Sequence, residues 1–262
     1  MPRFAANLTL MFTEWPFLDR FAAAADAGFG AVEIQFPYEH SADQVARKLA
    51  DAGLTAVLFN VPAGDFAGGE RGFAALPDRF ADLQASVDVA LRYAAACGVT
   101  RLHLMAGLAD RSDPQACAAY RNSVAWAAAR CAREGVDVML EPINLRDMPG
   151  YFLNDFEFAD GLIEEFALPN LKLQFDIYHR QLMHGDVAEA LRQRLPRIGH
   201  IQVAGVPFRH EPDADGELNF PYLFAELDRL GYDGFVGCEY RPRAGTIDGL
   251  GWFAAHAGRG RS

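Results

Sequence analysis

The stretch Val136-Asp137-Val138-Met139-Leu140-Glu141 is a short, largely apolar run that ends in a carboxylate. Its length and its β-branched residues are typical of a buried strand. Runs of the same kind recur along the chain and predict strands at residues 4–8, 31–36, 55–60, 100–105, 136–141, 171–176, 200–204 and 235–239. Each run is followed by a loop and an amphipathic segment, so the sequence repeats a strand–helix unit from end to end.

The segments between the predicted strands carry helix signals. In residues 78–96 the apolar residues Phe80, Leu83, Val87, Leu91 and Ala94 fall at intervals of three and four, which predicts a helix with one buried stripe. Asp113-Pro114 predicts an N-cap followed by a first-turn proline. Asn154 with Glu157 predicts a capping box at the start of the next helix.

Eight such units without a linker or a low-complexity tract predict an α/β fold, a (β/α)8 TIM barrel that forms a single domain over residues 1–262. A doubly wound open sheet is the alternative. That fold usually carries a Gly-rich phosphate turn after its first strand, whereas here the first strand ends in Asn7-Leu8-Thr9. The glycines at 68, 69 and 72 lie in a long loop, which we interpret as a mobile active-site loop.

The composition excludes several classes of partner. A net charge of −11 argues against nucleic acid and against an anionic membrane surface. Apolar runs fall well short of the ~20 residues needed to cross a bilayer. The four cysteines are scattered without a C-x-x-C pair, so we expect reduced thiols in a cytoplasmic protein. The sequence leaves open whether the protein forms a homo-oligomer.

Polar side chains close the last four predicted strands, at Glu141, Asp176, Gln202 and Glu239. In a TIM barrel the active site lies at the C-terminal ends of the strands. A single carboxylate there also fits a helix cap, but three unpaired carboxylates at one barrel mouth would repel one another. We therefore expect a divalent cation, and oxygen ligands favour Mg²⁺ or Mn²⁺ over zinc.

Two histidines lie close to these positions. If His179 or His200 were a ligand, the site would prefer Mn²⁺ or Co²⁺ over Mg²⁺. His200 precedes Gln202 by two residues on a strand, so both side chains should point to the same face. A hydrogen-bonded core histidine is the favoured interpretation of His200.

Several motifs resemble the hydroxypyruvate isomerase family, within the xylose-isomerase-like barrel superfamily. They are Glu141-Pro142-Ile143-Asn144, Phe175-Asp176-Ile177-Tyr178-His179, Gly199-His200-Ile201-Gln202-Val203-Ala204, Gly237-Cys238-Glu239-Tyr240, Asn60-Val61-Pro62-Ala63-Gly64-Asp65 and Gly69-Glu70-Arg71-Gly72. The resemblance runs from Arg3 to about Trp252 and keeps the family's motif order.

The resemblance implies a role for each of these positions. Glu141, Asp176, Gln202 and Glu239 match the metal ligands, and Glu141 and Glu239 also match the proton-transfer pair. His179 and Arg209 match positions that contact substrate in related isomerases and epimerases. Ketose 3-epimerases usually carry His where this chain has Gln202, which favours an isomerase.

Two features depart from the family pattern. Ala204-Gly205 replaces a common Ala-Asp pair, and the turn at residues 213–217 is longer by one residue and more acidic. This loop borders the predicted site. The reaction type is therefore better determined than the substrate, and 2-oxotetronate is an alternative to hydroxypyruvate.

The expected reaction interconverts hydroxypyruvate and 2-hydroxy-3-oxopropanoate (tartronate semialdehyde) through an enediolate, with Glu141 and Glu239 as acid and base. Either Arg209 or Arg71 is expected to hold the substrate carboxylate, because a guanidinium can bind it with two hydrogen bonds. Arg71 would act from a loop that closes as a lid. Asn7 would donate a neutral hydrogen bond to the substrate, or cap a turn.

Four other functions compete with this one. A ketose or keto-acid epimerase would use the same two glutamates. A metal-dependent nuclease on this fold would need a histidine-rich zinc cluster and a basic face. A metal-free glycosidase leaves Asp176 and Gln202 without a role. A non-catalytic binding barrel leaves the strand-end ligands unexplained.

Overall fold

The computed structural model describes residues 2–257, in which eight strands and nine α-helices follow one another along the chain. The strands are β1 Arg3–Asn7, β2 Ala31–Ile34, β3 Thr55–Asn60, β4 Arg101–His103, β5 Asp137–Leu140, β6 Leu171–Asp176, β7 Ile198–Val203 and β8 Phe235–Cys238. The helices are α1 Arg20–Asp26, α2 Ala42–Ala52, α3 Phe80–Cys97, α4 Pro114–Ala132, α5 Phe156–Phe166, α6 Ile177–Met183, α7 Val187–Arg194, α8 Phe220–Arg229 and α9 Gly251–Ala257. All eight predicted strands are present, with ends that differ by a few residues at most.

The strands are hydrogen-bonded in chain order, and β8 pairs with β1 to close the barrel. This confirms the predicted TIM barrel, and the open doubly wound sheet is wrong. Two parallel registers place polar residues opposite residues of the neighbouring strand. Asn7 lies opposite Glu33 between β1 and β2, and Gln202 lies opposite Gly237 between β7 and β8.

The described residues cluster into two compact units. The first contains residues 2–34, 44–57 and 175–257, and the second contains residues 35–43 and 58–174. In the first unit, Phe4 of β1 packs edge-on against Phe224 of α8 and Trp252 of α9, with ring centroids 5.0 and 5.1 Å apart. A single domain over residues 1–262 stays a prediction, and Met1 and residues 258–262 lie outside the described part.

In the second unit, the stripe predicted on α3 is buried at Leu83, Val87, Leu91 and Ala94. Helix α3 ends at Cys97 and is capped by Gly98, whose φ of 69° is left-handed and suits a residue without a side chain. Helix α4 begins as predicted. The Asp113 carboxylate accepts a hydrogen bond from the backbone N–H of Gln115, an N-cap that contributes about 1 kcal/mol.

The capping box predicted at Asn154 is wrong by one residue. The N-cap of α5 is Asp155, whose carboxylate accepts a hydrogen bond from the backbone N–H of Glu157. The Asn154 amide instead donates to the carbonyl oxygen of Tyr151, at 2.7 Å. The helix starts one residue later because the Asp155 carboxylate satisfies one of its first free N–H groups.

Within residues 2–257, no helix is both long enough and apolar enough to cross a bilayer. Cys97, Cys117, Cys131 and Cys238 are all free thiols, as predicted.

Candidate active site

In the first unit, three predicted ligands lie at the C-terminal ends of their strands. Asp176 is the last residue of β6, Gln202 lies near the end of β7, and Glu239 directly follows β8. Their exposed fractions are 1%, 1% and 5%. Carboxylates are almost never buried this far without a charged or hydrogen-bonding partner, so their contacts decide what they can do.

The two carboxylate oxygens of Asp176 have different partners. Oδ1 accepts a hydrogen bond of 2.7 Å from the backbone N–H of Tyr178 and thereby caps α6. Oδ2 lies 3.5 Å from Nε2 of the buried His179. Burial raises the pKa of Asp176 to about 7, against the opposing effect of the nearby Arg209 guanidinium, and the charge of Glu239 adds to the increase. A cation at this place would favour the ionised form.

Arg209 supplies a positive charge to both carboxylates. Its Nη2 donates to the carboxylate of Glu239 and lies 3.5 Å from Oδ2 of Asp176. The guanidinium also lies over the ring of Tyr178, 5.0 Å from its centroid. The backbone of Arg209 is left-handed, with φ of 59°, which costs a residue other than glycine roughly 1–3 kcal/mol. The surrounding loop therefore holds this side chain at the carboxylates.

A second buried group in the first unit centres on Glu33, which is fully buried near the end of β2. Its Oε1 accepts hydrogen bonds from the amides of Asn7 and Gln202, at 2.8 and 2.9 Å, and its Oε2 lies 2.6 Å from Nε2 of His200. His200 is therefore a hydrogen-bonded core histidine, the favoured interpretation. Because His200 and Gln202 both reach Glu33, they share one face of β7.

The side chain of Asn7 also caps a turn. Its Oδ1 accepts hydrogen bonds from the backbone N–H groups of Thr9 and Leu10, at 3.0 and 3.2 Å. With Nδ2 bonded to Glu33, both ends of the amide have partners within the chain. A hydrogen bond from Asn7 to substrate stays a prediction.

In the second unit, Glu141 directly follows β5 and is 3% exposed. Nδ1 of His103, the last residue of β4, lies 3.3 Å from its Oε2. Burial lowers the pKa of His103 to about 3, so the ring is neutral at physiological pH. The neutral ring adds no charge beside Glu141, and within the described residues neither of its nitrogens makes a hydrogen bond.

Arg71, also in the second unit, is held by its own loop. Its Nη1 donates to the carbonyl oxygens of Phe66 and Glu70, at 2.8 and 2.7 Å, and its guanidinium lies 3.9 Å from the centre of the Phe66 ring. The following residue, Gly72, has φ of 102°, and a Cβ there would lie 2.3 Å from the carbonyl oxygen of Met105. The loop thus needs glycine at this point, and its closure as a lid stays a prediction.

The structure brings Asp176, His179, Arg209 and Glu239 together, and it brings Gln202 and Asn7 together around Glu33. Glu33 and His103 were not predicted from the sequence. The same signal could have found them, because each is a polar residue at or near the end of an apolar strand, in Val32-Glu33-Ile34 and Leu102-His103-Leu104.

The sequence of this chain is similar to those of several known proteins. A family profile described as xylose isomerase-like TIM barrel matches residues 21–256. A 2-oxo-tetronate isomerase of Cupriavidus necator is 56% identical over 261 residues, which cover 99% of this chain and 100% of that protein. A hydroxypyruvate isomerase of Escherichia coli is 41% identical over 254 residues, covering 96% of this chain and 98% of that protein.

A solved structure is also similar over almost its whole length. The crystal structure described as AP endonuclease, family 2, from Brucella melitensis has a TM-score of 0.94 and 49% identity, and covers 98% of this chain and 99% of that chain.

Proposed function

We infer that this chain, which belongs to the xylose isomerase-like TIM barrel family, is a metal-dependent isomerase that moves a carbonyl group between adjacent carbons of a small 2-oxo acid. The resemblance to the hydroxypyruvate isomerase family is confirmed by full-length relatives, and the chain is an isomerase. The observation that supports the finer proposal is the group of buried ligand-type side chains at strand ends, with Arg209 against two of the carboxylates.

The relatives favour 2-oxo-tetronate as the substrate over hydroxypyruvate. The 2-oxo-tetronate isomerase of C. necator is 56% identical to this chain, against 41% for the E. coli hydroxypyruvate isomerase. The acidic loop at residues 213–217 is the part of the sequence that departs from the hydroxypyruvate isomerase pattern. We therefore propose 2-oxo-tetronate as the preferred substrate and hydroxypyruvate as the second.

The side chains present fit a divalent cation. Asp176 and Glu239 offer buried carboxylate oxygens and Gln202 offers an amide oxygen, a donor set that suits a hard ion such as Mg²⁺ or Mn²⁺. We propose that Glu141, Asp176, Gln202 and Glu239 hold it. Such an ion supplies positive charge to the substrate oxygens on which negative charge develops.

Proton transfer is assigned to the two glutamates. One of Glu141 and Glu239 removes the proton from the carbon next to the carbonyl, which gives an enediolate. The other delivers a proton to the neighbouring carbon, and a second proton passes from the hydroxyl oxygen of the first carbon to the former carbonyl oxygen, so the carbonyl moves by one position. Nδ1 of the neutral His103 ring lies 3.3 Å from Oε2 of Glu141, and the Arg209 guanidinium donates a hydrogen bond to Glu239.

Four side chains are proposed to bind the substrate. Arg209 would bind the carboxylate of the substrate beside Asp176 and Glu239, where its guanidinium already lies. His179 would contact a substrate oxygen next to Asp176. Arg71 and Asn7 are proposed as further contacts. A cytoplasmic location and a homo-oligomer remain predictions.

Two competing functions have less support. A ketose 3-epimerase on the same barrel would return the proton to the carbon from which it came. The nuclease activity named for the B. melitensis structure would act on an anionic polymer, and a net charge of −11 disfavours that substrate.

The test is a panel of 2-oxo-tetronate, hydroxypyruvate and ketoses, assayed in deuterated water with and without Mn²⁺ and followed by proton NMR. We expect deuterium on the newly protonated carbon, a carbonyl moved to its neighbour, and turnover that chelation abolishes and Mn²⁺ restores. Label at a stereocentre with the carbonyl in its original place would identify an epimerase. Full turnover of metal-free protein would refute the metal dependence.

A further inference from the structure

Glu33 is a buried carboxylate that the proposed reaction does not use. It is fully buried, and the amides of Asn7 and Gln202 both donate to its Oε1, at 2.8 and 2.9 Å. Gln202 is a proposed metal ligand, so Glu33 contacts the far side of that ligand. Three buried hydrogen-bonding partners fix the position of this carboxylate in the barrel interior.

The chain makes room for this carboxylate at Gly237. A Cβ at Gly237 of β8 would lie 2.0 Å from Oε2 of Glu33, and Gly237 is the register partner of Gln202. A glycine inside a strand weakens it and often marks a close approach of another group. Here the missing side chain lets Glu33 reach across from β2 to β7.

The donor and acceptor chemistry fixes the direction of the Gln202 amide. Oε1 of Glu33 accepts two N–H groups, so Gln202 must present its NH2 group to Glu33 and turn its carbonyl oxygen away. Asn7 cannot reverse, because its Oδ1 already accepts the backbone N–H groups of Thr9 and Leu10. An amide held the other way round would present N–H groups to a cation, which repel it.

We propose that Glu33 is a positioning residue, which fixes the Gln202 amide so that its NH2 group faces Glu33 and its carbonyl oxygen is the end that faces the divalent cation. This rests on the proposed function only in taking Gln202 as a metal ligand. Partners that orient metal ligands typically change metal affinity about 10- to 100-fold when they are removed.

The test separates orientation from charge with two substitutions of unchanged size. In Glu33→Gln the charge is lost, but Asn7 still requires an acceptor, so the new amide oxygen faces Asn7 and Gln202. His200 then accepts from the new NH2 group by changing tautomer. In the double variant Glu33→Gln/Asn7→Asp the net charge is that of the wild type. Its aspartate requires a donor, so the NH2 group at position 33 faces Gln202 and forces that amide to reverse.

The measurement is the Kd of Mn²⁺ for the full-length, metal-stripped protein without substrate, by calorimetry and by the electron paramagnetic resonance of free Mn²⁺. Wild-type protein and Glu33→Gln should agree within about threefold, and Kd should rise at least about tenfold in the double variant. Glu226→Gln is the matched control, since Glu226 of α8 is a 5% exposed carboxylate that pairs with Arg192 of α7 and Arg229 of α8. Its Kd should equal that of the wild type.

Each other outcome has a distinct meaning. If Glu33→Gln loses affinity, whether or not the double variant also does, Glu33 acts by its charge and the positioning role is wrong. If both variants bind like the wild type, Glu33 does not position Gln202, while the proposed function stands. If the wild type binds no Mn²⁺, both the metal site and the Glu33 proposal are refuted.

Discussion

Nδ1 of His103 lies 3.3 Å from Oε2 of Glu141, and their exposed fractions are 1% and 3%. Burial holds the pKa of His103 at about 3, so this partner of Glu141 is neutral at pH 7. A protonated imidazole beside Glu141 would compete with a bound cation for the same carboxylate. A neutral His103 therefore adds no competing positive charge beside Glu141, whose proposed roles are those of a metal ligand and a base.

The first prediction concerns stability at acidic pH. An unfolded histidine takes up a proton below about pH 6.5, whereas folded His103 does so only near 3, so its contribution is complete above 6.5 and is lost as the pH falls. The raised pKa of Asp176 has the opposite effect, because it makes the folded state more stable as the pH falls from about 7 to about 4. The effect of His103 is therefore measured as the difference in unfolding free energy between the wild type and a variant that also keeps Asp176. Urea unfolding should show the advantage of the wild type over His103→Asn shrinking by about 2 kcal/mol between pH 7.5 and 5. The same substitution at the exposed His184 is the control, and a pH-independent difference at His103 would contradict its burial in the neutral form.

The second prediction concerns Arg209. Changing it to Met keeps much of the stem but removes the guanidinium that contacts Glu239 and Asp176. The loss of a charged hydrogen bond to the substrate carboxylate should raise KM for 2-oxo acids about 10- to 100-fold. Mn²⁺ affinity should not fall, because two carboxylates lose a competing cation. Arg121→Met, at an exposed ion pair with Glu165, is the control. Unchanged kinetics in Arg209→Met would leave that residue without a role in substrate binding.

Sequence patterns were enough to predict the architecture because the apolar residues of each run are buried and the runs follow one another in chain order around a closed barrel. They also identified Asp176 and Glu239 as buried strand-end carboxylates. The partners could not be predicted in the same way. Glu33 and Gln202 are 169 positions apart in the sequence, and their contact requires the room left by Gly237 in a third strand. Likewise, the contact of Arg209 with Asp176 depends on a left-handed backbone that no local signal marks.

The third prediction concerns Gly237. In Gly237→Ala the new methyl group would meet Oε2 of Glu33 at 2.0 Å, and that carboxylate is held by three partners and cannot turn aside freely. We expect a loss of about 1–3 kcal/mol in the free energy of unfolding, measured in urea. Gly161→Ala in α5 is the matched control, because an added Cβ there has no neighbour within 4 Å. Better helix propensity should make that control more stable by up to about 1 kcal/mol, and equal effects of both changes would contradict the close approach at Gly237.

The last prediction concerns Glu141 and Glu239, whose proposed roles as base and acid differ from a role as ligands alone. Replacing either by Gln keeps an oxygen for the cation but removes the group that carries the proton. Each single variant should therefore retain Mn²⁺ while turnover falls by at least about 10². The double variant should be little slower than either single one, since a proton must both leave and arrive and the two groups act as one unit.

The measurements are Mn²⁺ content and turnover on 2-oxo-tetronate, together with deuterium uptake into unreacted substrate. Because proton removal precedes proton delivery, a variant that lacks only the delivering group can still exchange the substrate proton with solvent, whereas one that lacks the base cannot. Exchange in one variant and not in the other would therefore assign the two roles. Near-normal turnover in both single variants with Mn²⁺ still bound would show that the glutamates are ligands only, and His179, 3.5 Å from Asp176, would be the next group to test.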